Sequence, residues 1–203
     1  MLLIARHGET EWNAAGRIQG RGDSALTARG RDQARRLAAF VADQGVERLF
    51  ASPLGRARET AAIVARALDL EPVIDERLVE GSAGVGDGLT FAEIETRHAG
   101  ALARRDADRW RVALPRGETV ADIWDRVESF AREYFGVGGH LDGGDADRVD
   151  GHRALVIAHQ GVNRVLLGII MGFPPADILR LAQPNDVIFR CTNDGVAGYR
   201  LDG

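Results

Sequence analysis

Ala154-Leu155-Val156-Ile157-Ala158 is apolar at every position and runs directly into His159-Gln160-Gly161. A strand with one solvated face alternates apolar and polar residues. Five apolar residues in succession predict a strand covered on both faces, the interior position of a parallel sheet with helices on each side. Leu2–Ala5 and Arg48–Ala51 are further short apolar runs of the same kind. Amphipathic stretches lie between them. From Thr27 to Gln44 the residues Ala34, Leu37, Ala38 and Val41 form an apolar stripe, with Gly45 as a C-terminal stop. Ser52 reads as an N-cap with Pro53 at the first helical position, followed by the stripe Leu54, Ala57, Ala61, Val64 and Leu68. Thr119 and Asp122 have capping-box spacing ahead of Val120, Ile123, Val127, Phe130 and Tyr134. A fourth helix is expected from about Gly161 to Met171, and Val187–Arg190 with Val196–Leu201 flank Asn193-Asp194-Gly195 as a hairpin. The alternation of strand and helix predicts an α/β three-layer sandwich with a mainly parallel central sheet.

Two segments break this rhythm. Residues 81–117 combine a Gly-rich stretch, a short helical patch and an Arg-rich run, and are expected to form an inserted lid. Residues 136–151 are rich in glycine and aspartate and read as a flexible loop; Asp145 and Asp147 do not complete a calcium-ligand pattern. With 203 residues and no internal repeat, the whole chain, 1–203, is expected to be one domain. A net charge of −4 argues against nucleic-acid and anionic-membrane partners. There is no apolar run of membrane-spanning length and no secretory leader pattern at Met1–His7. The single cysteine, Cys191, suits the cytoplasm. All 26 basic residues are arginine, which excludes P-loop, kinase-type and Schiff-base lysine chemistry. Oligomeric state is not legible in this pattern, and a homodimer is compatible with it.

Two of the five histidines, His7 and His159, stand where an apolar strand ends beside a glycine. Ligands of parallel α/β sheets bind at the carboxyl ends of the strands. His98, His140 and His152 fall in the irregular segments and are expected to face solvent. Arg6 precedes His7, Arg17 lies in Asn13-Ala14-Ala15-Gly16-Arg17-Ile18-Gln19-Gly20, and Arg56 lies near the expected start of the second helix. Guanidinium groups, imidazoles and a helix start together suit a doubly negative phosphoryl group.

Arg6-His7-Gly8-Glu9-Thr10 resembles the signature of the histidine phosphatase superfamily, in its phosphoglycerate-mutase-like branch. Further blocks resemble the family in the same order. They are Asn13 with Gly16-Arg17-Ile18-Gln19-Gly20, Leu26-Thr27 with Gly30, and Ala51-Ser52-Pro53-Leu54-Gly55-Arg56-Ala57 with Thr60. Leu78-Val79-Glu80, Pro115-Arg116-Gly117-Glu118-Thr119, Val156-Ile157-Ala158-His159 and Asn185 continue the series.

This resemblance implies a metal-independent phosphomonoesterase, without cofactor, acting on a small phosphorylated metabolite such as a sugar phosphate, phosphoglycerate or α-ribazole phosphate. His7 would be the nucleophile, with Arg6, Arg56 and His159 holding the phosphoryl oxygens and Glu80 acting as general acid, then base. Thr10, Asn13, Gln19, Gly20 and Gln160 would contribute substrate contacts. Glu76 and Asp87 are close competitors of Glu80 in sequence. Gln160 stands where many relatives have glycine, and Val85-Gly86-Asp87 stands where relatives often place an aromatic residue and a glutamate. The rival readings are a cofactor-dependent phosphoglycerate mutase, which would need a longer basic segment than Arg104–Arg111, and a non-catalytic phospho-ligand binder.

Overall fold

The computed structural model describes residues 1–137 and 151–201. In chain order the elements are β1 (Leu2–Arg6), α1 (Glu11–Ala14), α2 (Ala28–Ala42), β2 (Arg48–Ala51), α3 (Gly55–Leu68) and β3 (Val73–Ile74). These are followed by α4 (Phe91–Arg97), α5 (Ala101–Ala107), α6 (Val120–Phe135), β4 (Ala154–Ala158), α7 (Gln160–Met171), α8 (Pro175–Ile178), β5 (Val187–Thr192) and β6 (Gly195–Arg200). One mixed sheet runs in the order β3-β2-β4-β1-β5-β6. The four strands from β3 to β1 are parallel, and β5 and β6 close the sheet as an antiparallel hairpin.

Period-two alternation sorts the strand residues into two layers. Leu2, Ile4, Phe50, Ala154, Val156 and Ala158 pack against α6 and α7. Leu3, Ala5, Leu49, Ala51, Leu155 and Ile157 pack against α2 and α3. All five residues of β4 are buried, as its unbroken apolar sequence requires. Phe50 meets Phe130 edge-on, ring centroids 5.4 Å apart, and lies 4.6 Å from the ring of Tyr134, so α6 is pinned to the sheet by aromatic contacts.

Several expectations need correction. The helix after β2 begins at Gly55, with Leu54 and not Ser52 at its cap. Ser52 still belongs to the sheet edge, where its N–H donates to Ile157 O at 3.1 Å, and its hydroxyl accepts from Leu54 N at 3.3 Å. Arg56 is therefore the second residue of the helix and is 1 % exposed. His152 does not face solvent. It is half-buried, with Nε2 bonded to Phe135 O at 3.2 Å, and burial lowers its pKa. His98 is likewise half-buried. β3, α1 and α8 were not legible as elements, being at most four residues long. Within 81–117, α4 and α5 fold over a small apolar cluster of Ile94, Ala101 and Leu114, so this segment carries a core of its own. The expected loop at 136–151, with His140, Asp145 and Asp147, falls almost wholly outside the described residues. No described helix is long and apolar enough to cross a membrane. Cys191 is buried, and desolvation pushes its thiol up to about 12.

Candidate active site

Strand register assembles the site. Arg6 pairs with Ala158 across β1 and β4, and Ala51 of β2 pairs with Ile157. Three parallel strands thus end side by side and release Arg6-His7, His159 and Ser52 at one edge. His7 N–H continues the ladder to Ala158 O at 3.0 Å, which brings the His7 and His159 ring centroids to 5.2 Å. The loop after His7 packs tightly on the start of α2: a Cβ on Gly8 would fall 2.3 Å from Gly30 O, and one on Gly30 would fall 2.0 Å from Glu9 O. Only glycine at both positions permits this approach.

His7 is 2 % exposed, and its Nδ1 lies 2.7 Å from Gly8 O. A carbonyl only accepts, so Nδ1 carries the proton, and Nε2 has no partner among the described residues. Desolvation, reinforced by Arg6 and Arg56, holds the His7 pKa well below the ordinary histidine value. The ring is neutral, with a bare lone pair at Nε2. Asn185 fixes the same residue from behind, donating from Nδ2 to His7 O at 2.6 Å.

His159 is fully buried, with Nε2 2.7 Å from Ser52 Oγ. Burial and the neighbouring cationic groups hold its pKa well down too. The Ser52 hydroxyl, which also accepts from Leu54 N, pairs with Nε2, and Nδ1 is left without a partner. Arg56 spends its terminal nitrogens on Gly22 O (2.6 Å), Asp23 Oδ1 (3.2 Å) and Gly20 O (2.9 Å), and its Nε has no partner. Arg6 gives Nη1 to Gln160 Oε1 and Gln183 O, both at 3.2 Å, and its Nε is likewise orphaned. Burial lowers the Arg6 pKa to about 10, which leaves it charged at neutral pH. Five buried side-chain polar atoms of the described residues lack a partner, and three of them belong to Arg6, Arg56 and His159. Buried donors without acceptors are costly. Their concentration beside one bare imidazole nitrogen marks a receptor for an anion.

Glu80 supplies the carboxylate. Its Oε1 accepts from Gly81 N at 2.9 Å and its Oε2 from Gly161 N at 3.2 Å. Glu76 is exposed on a one-turn 3₁₀ segment away from the cavity. Asp87 is occupied in accepting from Ala83 N at 2.9 Å, and the cavity lining excludes it. The cavity measures about 470 Å³ and is lined by Arg6, His7, Asn13, Arg56, Glu80 and Gln160 among others. Gln19 and Gly20 also line it, and Gly20 O is held by Arg56. Thr10 does not line it. Thr10 is wholly buried as the N-cap of α1, where it forms a capping box with Asn13; His159, equally buried, is likewise not among the residues that line the cavity. Arg17 reaches the wall but is neutralised by Glu93 at 2.7 Å.

A profile described as the histidine phosphatase superfamily (branch 1) matches residues 2–196. The chain belongs to the histidine phosphatase superfamily. It is 33 % identical over 198 residues to a probable phosphoglycerate mutase of Shigella boydii serotype 18, covering 93 % of this chain and 83 % of the relative. A mycobacterial glucosyl-3-phosphoglycerate phosphatase solved with VO3 has a TM-score of 0.77 and 26 % identity, covering 93 % of this chain and 92 % of the other. The α-ribazole phosphatase of Shigella flexneri has a TM-score of 0.78 and 25 % identity, covering 100 % and 96 %.

In this superfamily member three supporting residues escaped the sequence reading. Gln183 is 3 % exposed and donates from Nε2 to Ile4 O at 2.8 Å, while its own carbonyl holds Arg6. Asn163 donates to Ala5 O at 2.9 Å and to Gln183 Oε1 at 2.7 Å. Ser52, read as a cap, holds His159 Nε2 at 2.7 Å. A polar residue interrupting an apolar helix stripe was the available signal for Asn163; Gln183 lies in a loop and offered none.

Gly161 is the residue whose absence of a side chain matters most directly. A Cβ there would lie 2.5 Å from Glu80 Oε1, a movable side-chain atom. Gly161→Ala is expected to fold normally and to displace the carboxylate, lowering kcat on alkyl phosphates about 100-fold. A denaturation midpoint beside the steady-state rate separates that outcome from a folding defect.

The depressed histidines, His7 and His159 most strongly, also set a pH dependence of stability. Unfolding restores the ordinary pKa of about 6.5. The unfolded chain therefore binds more protons below that pH, and stability is complete above it and lost as pH falls towards the folded-state values. Each histidine contributes up to about 1.4 kcal/mol per pH unit in that window. Urea midpoints are expected to be flat from pH 7 to 8 and to fall below pH 6.5, with a shallower fall in His159→Gln.

Proposed function

We propose that this protein is a metal-independent phosphomonoesterase that hydrolyses a small phosphorylated metabolite through a phosphohistidine at His7. The observation that carries the reading is the set of unpartnered buried nitrogens on Arg6, Arg56 and His159 beside the bare Nε2 of a neutral His7. Nε2 attacks phosphorus in line, the P–N bond forms, and the ester P–O bond breaks. The nitrogens of Arg6, Arg56 and His159 take the phosphoryl oxygens, where developing charge needs them. Glu80 gives its proton to the leaving alkoxide. It then removes a proton from the water that cleaves the P–N bond, which releases phosphate and restores His7. Asn13, Gln19, Gly20 and Gln160 line the route by which the ester enters.

The name of the mutase relative favours a second reading, transfer back to a sugar acid in place of water. The segment that would seat a bisphosphate here consists of two seven-residue helices, α4 and α5, which supports water as the acceptor. One experiment addresses both readings: a phosphomonoester panel assayed after exhaustive chelation, with 3-phosphoglycerate plus catalytic bisphosphoglycerate as one arm. Phosphate release without added metal is the expected result. Activity restored only by a divalent ion, or rapid conversion of 3-phosphoglycerate to 2-phosphoglycerate, would overturn the proposal.

A further inference from the structure

Arg126 is a largely buried charge that the proposed reaction leaves unused. Its side chain is 17 % exposed and does not line the cavity. Its Nη2 is one of the five buried side-chain polar atoms without a partner among the described residues. Arg126 projects from α6, the helix held to the sheet through Phe130 and Tyr134. Burying a guanidinium is costly, and its place on a core helix needs a reason.

The bonds that Arg126 makes converge on the Glu80 loop from both sides. Nη1 donates to Arg77 O, three residues before Glu80. Nε donates to Glu118 Oε1 at 3.4 Å, and the other oxygen of Glu118 accepts from Ser82 N, two residues after Glu80, at 2.8 Å. Glu118 N returns a bond to Ser82 O at 2.9 Å. Between these fixed points stand Val79, Glu80 and Gly81. α6 also closes the middle of the loop. A Cβ on Gly81 would fall 2.5 Å from Ile123 Cδ1, and Ile123 lies one turn before Arg126 on the same face of the helix. The Glu80 carboxylate is itself held by two backbone groups, Gly81 N and Gly161 N. Its aim is therefore set by where the chain on either side of it is anchored, and one guanidinium reaches both anchors. A planar fork suits that task, whereas an ammonium on a flexible stem is a single compact point. Burial lowers the Arg126 pKa, and the nearby charges of Glu118 and Glu80 oppose that shift.

We infer that Arg126 is a positioning residue for Glu80: it fixes the loop on both sides of the carboxylate and so sets the geometry of proton transfer to the leaving group. This rests on the phosphatase reading, in which Glu80 is the acid.

The test is Arg126→Met, which keeps the unbranched stem and removes the guanidinium. Glu118 retains Arg21 at 3.0 Å and Ser82 N, so the change leaves no bare carboxylate behind. Turnover of an alkyl phosphate is expected to fall about 10- to 100-fold, the scale of a misplacement of about 1 Å, with KM little changed. The burst of p-nitrophenyl phosphate, whose leaving group needs no proton, is expected to stay within about threefold of the wild type. In a Glu80→Gln background the same substitution is expected to cost alkyl turnover less than about threefold, because two residues acting through one group are not additive. Equal loss on both substrates, no loss on either, or the full loss repeated in the Glu80→Gln background would overturn the assignment and leave the phosphatase reading standing. Arg126→Lys, which keeps a charge beside Glu118, is read by the same criteria if the methionine variant does not fold. If the wild type hydrolyses no ester, the phosphatase reading fails by itself, and amide exchange decides the positioning role. Exchange at Gly81 and Gly161, the two N–H groups that Glu80 holds, is expected to rise about tenfold in the variant, and unchanged exchange overturns the assignment.

Discussion

Replacing His7 by alanine is expected to abolish turnover, by on the order of 10⁵-fold, and to abolish covalent labelling altogether. On the proposed reading Nε2 of this ring is the nucleophile, because it is unpartnered in the cavity while the other imidazole is bonded through Nε2 to Ser52. Rapid quench of the wild type with a labelled ester should trap phosphate in a linkage that is labile to acid and stable to alkali. Label that resists acid, or that persists in His7→Ala, would move the nucleophile elsewhere. The neutral state of His7 adds a second feature to the same experiment. Its pKa is held well below the usual value, so the trapping rate should not fall between pH 7.5 and pH 6, where an ordinary histidine would protonate.

Glu80→Gln carries the next largest effect. Proton transfer to a leaving group is worth about 100- to 10,000-fold, so turnover of alkyl phosphates should collapse by that order. Both oxygens of Glu80 accept backbone N–H groups, from Gly81 and Gly161. An amide can satisfy only one of these and sets its NH2 against the other, so the variant also loosens the side chain. The leaving group separates the two effects. p-Nitrophenolate departs without a proton, and the burst that reports its phosphoryl-transfer step should lose far less than the alkyl phosphate does. An equal loss on both substrates would make Glu80 a structural residue of the Gly161 turn. Steady-state rates alone do not answer this, because on the proposed reading Glu80 would also assist the hydrolysis of phosphohistidine.

Legibility of the site from sequence followed the range of the interactions involved. Thr119 and Asp122 announced α6 three residues apart, and the structure contains that capping box. Ser52 and Pro53 announced a helix in the same way and misled, because the Ser52 hydroxyl serves His159 across the sheet and its N–H completes the pairing with Ile157. A local propensity was overridden by two partners distant in sequence. Gln183 and Asn163 illustrate the same limit. Their side chains brace β1 from segments far along the chain, a contact that no pattern within either segment encodes.

The choice among acidic residues shows the boundary most clearly. The family resemblance selects Glu80, with Glu76 and Asp87 as close competitors in sequence. Glu80 lines the cavity; Glu76 is turned outward by a one-turn helix, and Asp87 caps its own loop.

The sequence alone determined the α/β class, the strand exits at His7 and His159, and the supply of arginine, since apolar periodicity, capping residues and residue type are local properties. Its ordered motifs also pointed to the family. Folding decided that β4, late in the chain, lies between β1 and β2, which brings the two imidazoles to 5.2 Å. It decided too which nitrogens keep a protein partner and which stay bare. Pairing register and burial depend on contacts between segments far apart in the chain, and no pattern within one segment encodes them.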